Sequence, residues 1–136
     1  MNHINYFVDY QYPNMSNTSS GNIVDTEVGF KRGNMFNSLY DEYKNYKPCQ
    51  PKLETPKDRL MYDIQMYGFG LNDLVLYLDL NPQDEFAGRE FDKLQNEFVR
   101  AVKKYEDMFG PINLTSDKLD NLPWKWVRKP YQGGMM

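Results

Sequence analysis

Residues 55–84 read TPKDRLMYDIQMYGFGLNDLVLYLDLNPQD, and this stretch decides the fold. Thr55 is a good N-cap. Pro56 suits the first helical position, where a missing N–H is harmless, and Asp58 sets negative charge against the positive end of the helix dipole. From there Leu60, Ile64, Tyr67, Leu71, Leu74 and Leu78 step by four and three. That is a seven-residue repeat of apolar seam positions. Met61, Val75 and Leu76 widen the apolar face. The spacing predicts a helix over 56–79. Asn81-Pro82 then repeats the start signal, with Asn81 as cap, Pro82 as opener, and Asp84 and Glu85 as the acids of a new first turn.

Downstream, Phe91, Leu94, Phe98, Ala101, Tyr105 and Met108 again step by three and four, and Val102 and Phe109 broaden their face. Lys103 and Lys104 favour the C-terminal end, partly offset by Glu106 and Asp107. Gly110-Pro111 is a stop signal. Two helices of comparable length joined by so short a turn fold back antiparallel. The expected fold is therefore all-α: an antiparallel two-helix hairpin over 56–110, with flexible, aromatic-rich N- and C-terminal arms. Each helix carries an apolar face too wide for its partner to cover, so a further layer is required. Residues 30–47 and the C-terminal tail supply it, or a second molecule does. A mixture in which two hairpins form a four-helix bundle is the favoured reading. Gly68 and Gly70 each cost up to about 1 kcal/mol inside a helix. They mark either a tolerated cost or local bend, or the close approach of a partner backbone or an aromatic ring.

Outside the hairpin the patterning changes. Residues 1–29 are rich in Asn, Ser, Thr and Tyr, show no helical or strand period, and read as a flexible arm. In residues 30–47, Gly33-Asn34 marks a turn, and Phe36, Leu39, Tyr40 and Tyr43 then fall at helix-like spacing. This predicts an amphipathic segment of about two turns, too short to be stable without a surface to dock on. Residues 48–55 form a proline-containing linker. Residues 111–136 form a tail in which Trp124 and Trp126 point the same way if extended. That tail either folds over the hairpin or anchors another protein.

Composition narrows the function classes. The 136 residues carry a formal net charge of −3, which gives no basic field for nucleic acid. Residues 1–29 carry only acids, 57–110 are net acidic, and 30–56 and 111–136 are slightly basic. Eleven Tyr, eight Phe and two Trp are spread through the patterned middle and the ends, a composition that favours contact with partners. The first ten residues lack the basic start and apolar core of a signal peptide, and no apolar run reaches membrane-spanning length. The expectation is a chain made and kept inside a cytoplasm.

Catalytic patterns are hard to assemble. The single histidine, His3, lies in the N-terminal arm, so the Glu-x-x-His pairs of a di-metal bundle are missing. Cys49 is the one cysteine; it stands in the linker with no positioned base, as a free thiol or as a point of cross-linking between chains. Asp84-Glu85 and Glu106-Asp107 are adjacent on their helices and do not face each other. Gly68-Phe69-Gly70 follows no strand and makes no phosphate loop. The tyrosines crowding the first third are contact aromatics or substrates for oxidative cross-linking. No catalytic, cofactor or metal residue is assigned. The interface candidates are Phe30, Phe36, Leu39, Tyr43, Leu71, Tyr77, Leu78, Phe91, Phe98, Trp124 and Trp126.

Leu76-Tyr77-Leu78-Asp79 followed by Pro82 and Asp84 resembles the LYLDxxPxD signature of the spore-coat CotJB family. Phe109-Gly110-Pro111 resembles its aromatic-Gly-Pro stop, and Pro123-Trp124-Lys125-Trp126 its PWxW tail. The resemblance covers about residues 57–127. It departs at Asn81, where the family usually has His, and at the two glycines, which replace bulkier residues. Residues 30–36 (FKRGNMF) with Leu39-Tyr40 and Tyr43 resemble the short motif of the companion protein CotJA. These resemblances imply a non-enzymatic structural part in the endospore coat, made in the mother-cell cytoplasm. They imply association with other coat proteins, including a manganese-catalase-like partner, and the apolar faces add self-association.

Overall fold

The computed structural model describes residues 22–120, together with 122 and 124. Among these residues the secondary structure is helical, with one isolated antiparallel bridge between Ile23 and Phe36. Three α-helices, α1 (Thr26–Arg32), α2 (Pro56–Leu80) and α3 (Glu85–Phe109), are supplemented by 3-10 turns at Asn37–Leu39 and Asp117–Leu119.

The start of α2 follows its sequence closely. The Thr55 side chain accepts from the Asp58 N–H at 3.1 Å, and the Asp58 carboxylate accepts from the Thr55 N–H at 2.9 Å. Two otherwise orphaned donors are satisfied reciprocally. At the other end the reading needs correction. Asn81 does not cap the second helix; its backbone N–H bonds to the Tyr77 and Leu78 carbonyls and its side chain to the Tyr77 carbonyl, closing α2. Pro82 and Gln83 make the turn, and Asp84 is the N-cap of α3, accepting from the Ala87 N–H at 3.0 Å. Asn81 has the right chemistry for either cap, and the preceding helix claims it first. Gly110, at φ 104°, ends α3 in a conformation that suits glycine.

The hairpin is antiparallel, and its core lies in two clusters. Near the turn, Leu74 and Tyr77 of α2 meet Ala87 and Leu94 of α3. At the open end, Leu60 and Ile64 meet Ala101 and Tyr105. The buried set on α2 includes Met66, Gly70 and Tyr77, while Tyr67, Leu71 and Leu78 are only partly buried. Met108 is half exposed. The buried surface of α2 is thus rotated from the predicted seam, because α2 serves a second neighbour as well as α3.

That neighbour is the N-terminal segment. Asp25 caps α1, and Gly33, at φ 83°, ends it by donating to the Gly29 carbonyl at 2.8 Å. The helix begins at Thr26, inside the stretch read as a patternless arm. The residues read as helical are largely not. Phe36 is extended, Leu39 ends a 3-10 turn, and Tyr43 lies in exposed chain. The left-handed Gly33 stops the helix before the apolar spacing begins, and Phe36 pairs with Ile23 instead. After α3 the chain turns back: Pro111, Ser116 and Leu119 are buried, and Lys118 pairs with Asp107 at 2.7 Å.

Candidate functional site

Tyr62, Met66, Phe69, Asp73, Leu76, Tyr77 and Leu80 fall on one side of α2, since each residue turns the helix by about 100°. Apart from Tyr77, which also meets α3, this side lies off the α3 seam and is where the N-terminal segment lies. Phe30 of α1 packs against Tyr62 and Phe69, with ring centroids 5.5 and 5.7 Å apart. The Tyr62 hydroxyl donates to Glu27 at 3.2 Å. Phe36 stacks on Tyr77 at 4.4 Å with rings 24° apart, and both are buried. Between these contacts the Met35 N–H donates to the Asp73 carboxylate at 2.7 Å. Leu76 and Leu80 continue the same side toward the turn and are each 58% exposed.

The docked segment is tied together internally. Val24 N–H reaches the Met35 carbonyl, Asn37 N–H the Asn22 carbonyl, and Ser38 N–H the Asn22 side chain. Arg32 donates to the Asn34 carbonyl and to the Asn37 side chain, and its guanidinium lies 4.4 Å from the centre of the Tyr40 ring. Residues 22–40 therefore form a small module whose backbone bonds lie within it except that of Met35, which goes to Asp73, and whose apolar side is spent on α2.

Electrostatics at this contact are modest. Lys31 lies 2.9 Å from Glu27 and, through that hydrogen bond, holds the Glu27 carboxyl below its ordinary value. Burial pushes the Tyr62 hydroxyl up, with Glu27 adding to it. Burial also raises Asp63.

Gly70 sits where all three layers meet. A Cβ built there would lie 2.9 Å from Leu94 Cδ1 of α3 and 3.1 Å from Thr26 Cγ2 of α1. The close approach comes from within the chain. At Gly68 the nearest atom is on the Phe98 ring, at an ordinary 3.4 Å.

The interface candidates are distributed unevenly. Phe36 and Tyr77 are inside the chain, facing each other. Phe30, Leu71, Leu78, Phe91 and Phe98 are partly buried against the core or the module. Leu39 is 50% exposed, Tyr43 78% and Trp124 47%. Trp126 lies outside the described residues. Reading from sequence missed Asp73 and Met35, whose contact spans 38 residues, and Ile23, which lay in the arm.

Among the described residues no group of three or more His, Cys, Asp or Glu could hold a metal ion, and no helix is long and apolar enough to cross a membrane. Cys49 is exposed, and His3 lies outside the described residues. The prominent carboxylates have structural partners: Asp84 caps α3 and accepts from the Tyr77 hydroxyl at 2.8 Å, Glu106 accepts from the Ile112 N–H at 3.0 Å, and Asp107 pairs with Lys118. An open groove of about 400 Å³ runs between Phe98, Val99 and Val102 of α3 and the loop Asn113–Lys118.

Neither a curated protein nor a solved structure matches the chain. A family model described as CotJB protein matches residues 58–131, which takes in nearly all of α2, all of α3 and the chain that follows. That is more than half of the 136 residues, and the chain belongs to the CotJB family.

Proposed function

We propose that this protein is a structural component of the bacterial endospore coat that acts through protein–protein assembly and catalyses no reaction. The observation that carries this reading is the family match over residues 58–131, since CotJB is a spore-coat family. The surface supports it. Val75, Leu76 and Leu80 on α2 and Val99 and Met108 on α3 are exposed aliphatic side chains, and Trp124 adds an exposed aromatic. Apolar surface of this kind is what coat neighbours, or a second copy, would cover. Synthesis in the mother-cell cytoplasm and deposition on the forespore belong to the same proposal. The test is extraction of coats from dormant spores together with pull-down of the tagged protein from sporulating cells. Recovery in the coat fraction, with other coat proteins as prey, is the expected result. Absence from purified dormant spores overturns the reading.

A second reading is an adaptor that recruits a manganese-catalase-like coat protein. Leu39 and Tyr43, which belong to the motif resembling CotJA, are 50% and 78% exposed, which leaves them surface to offer a partner. The double variant Leu39→Ala/Tyr43→Ala separates the readings. An adaptor loses catalase recruitment while the hairpin stays intact, whereas a plain scaffold keeps both.

A further inference from the structure

We infer that the N-terminal module exchanges between copies of this protein: residues 22–40 of one chain seat on the Tyr62–Tyr77 side of α2 in a second copy, so that the chain self-associates by swapping the module. The proposal deepens the assembly reading and rests on it for its setting.

Three observations carry it. Apart from the Met35 N–H, which goes to Asp73 of α2, the backbone bonds of the module lie within residues 22–40. Leaving α2 breaks the Met35–Asp73 bond and uncovers Phe30, Met35 and Phe36, so the module needs a seat on one copy or another. Its contacts with the hairpin are confined to one seat: three aromatic pairs, the Met35–Asp73 and Tyr62–Glu27 bonds, the fit of Thr26 against Gly70, and the burial of Met35 and Phe36 beside Leu74 and Leu94. Those contacts are the same whichever chain supplies them, so exchange conserves the interface. Domain swapping is a low-cost route to association for this reason.

The connection to α2 permits the exchange. The Tyr46 hydroxyl is tied to the Lys31 carbonyl, so the free link to α2 runs from Lys47 to Thr55. Residues 47–52 are all exposed, and Pro48 and Pro51 fall within the link. Proline-rich chain is extended at about 3.1 Å per residue, which gives the link a reach of roughly 28 Å. The module meets α2 first at Tyr62, only about 9 Å along the helix from Pro56 at 1.5 Å rise per residue. The link therefore has reach to spare. Within one chain, the module's effective concentration at its own α2 is of the order of millimolar for a short link. Exchange grows as the protein concentration approaches that value, which is the regime of a packed protein layer. Because each copy offers one module and one seat, the exchange closes as a dimer or runs on as a chain.

The test uses the full chain with Cys49→Ala to remove the native thiol. One preparation carries Glu27→Cys and another Tyr62→Cys. They are mixed, concentrated, and treated with a short bifunctional maleimide. A third preparation, Arg100→Cys on the exposed side of α3, replaces Tyr62→Cys as the control. The mixed adduct is expected several-fold above the control, with a yield that rises with concentration. An adduct no greater than the control overturns the proposal. Should either variant lose its helical circular dichroism, the unsubstituted chain decides. Its light-scattering mass must rise with concentration, and a flexible Gly/Ser insertion after Pro51 must alter that rise. A monomer mass at every concentration overturns the exchange. These measurements use purified protein, so their failure leaves the coat assignment standing, and absence from spores leaves the exchange standing.

Discussion

The Met35 backbone N–H and the Asp73 carboxylate, 38 residues apart, meet at 2.7 Å and fasten the N-terminal module to the hairpin. Met35 itself is 1% exposed, so its N–H has little access to water if the carboxylate is removed. Asp73→Ala is expected to destabilise the docked module by about 1.5 to 3 kcal/mol, the range for hydrogen bonds to charged groups. Asp73→Asn keeps an acceptor and should lose less. Amide hydrogen exchange reads the effect: protection falls over residues 23–37 while α2 and α3 retain theirs.

Gly68 and Gly70 should respond to alanine with opposite signs. Helix propensity favours the change at both by about 0.5 to 1 kcal/mol. At Gly68 the new methyl meets only the Phe98 ring at ordinary contact distance, so the variant gains that stability. At Gly70 it meets Leu94 and Thr26 at 2.9 and 3.1 Å in a buried position. Overpacking costs about 1 to 3 kcal/mol, which exceeds the propensity gain. Urea denaturation of the two variants checks the sign.

Asp84 does two things at the turn. One carboxylate oxygen accepts from the Ala87 N–H and the other from the Tyr77 hydroxyl. Asp84→Ala removes a helix cap, a loss of about 0.5 to 2 kcal/mol, and takes away this acceptor from Tyr77. Tyr77→Phe removes only the hydroxyl's bond, about 0.5 to 1.5 kcal/mol. Thermal melts should rank Asp84→Ala below Tyr77→Phe, and the double variant should lose less than the sum because the two share a bond.

Acid should loosen the module at Glu27. The hydrogen bond from Lys31 holds its carboxyl below the ordinary 4.5. A depressed folded value means that the stabilising contribution is complete above 4.5 and fades as pH falls through the lower folded value. Asp63 has the opposite sign, because burial raises it and disfavours its charged form, so its contribution improves on acidification. The Glu27 carboxyl carbon, followed by NMR, should titrate below the ordinary range in the full chain. It should return toward that range in Lys31→Ala.

The hairpin was legible because its signals are local and repeated. Thr55-Pro56, the four-three apolar steps and Gly110 each act within a turn or two of their position. Asn81 was misassigned because two helix ends compete for one side chain, and sequence alone does not say which carbonyls lie nearer. The module was read in the wrong place. Its helix is seven residues long and gains its stability from α2, so it leaves little periodicity of its own. Phe36 had the spacing of a helical residue, yet it is extended and buried against Tyr77, a contact set by folding across a long link. The need for a third layer was readable from the width of the apolar faces. That residues 22–29 join residues 30–36 in supplying part of it was not.

The missing side chain at Gly70 works as a notch that aligns three parts at once. Slide α3 by a turn and Leu94 no longer fills the hollow; shift the module and Thr26 no longer does. One absent methyl group thus fixes both the pairing offset of the hairpin and the seat of its lid, so the two alignments cannot drift independently.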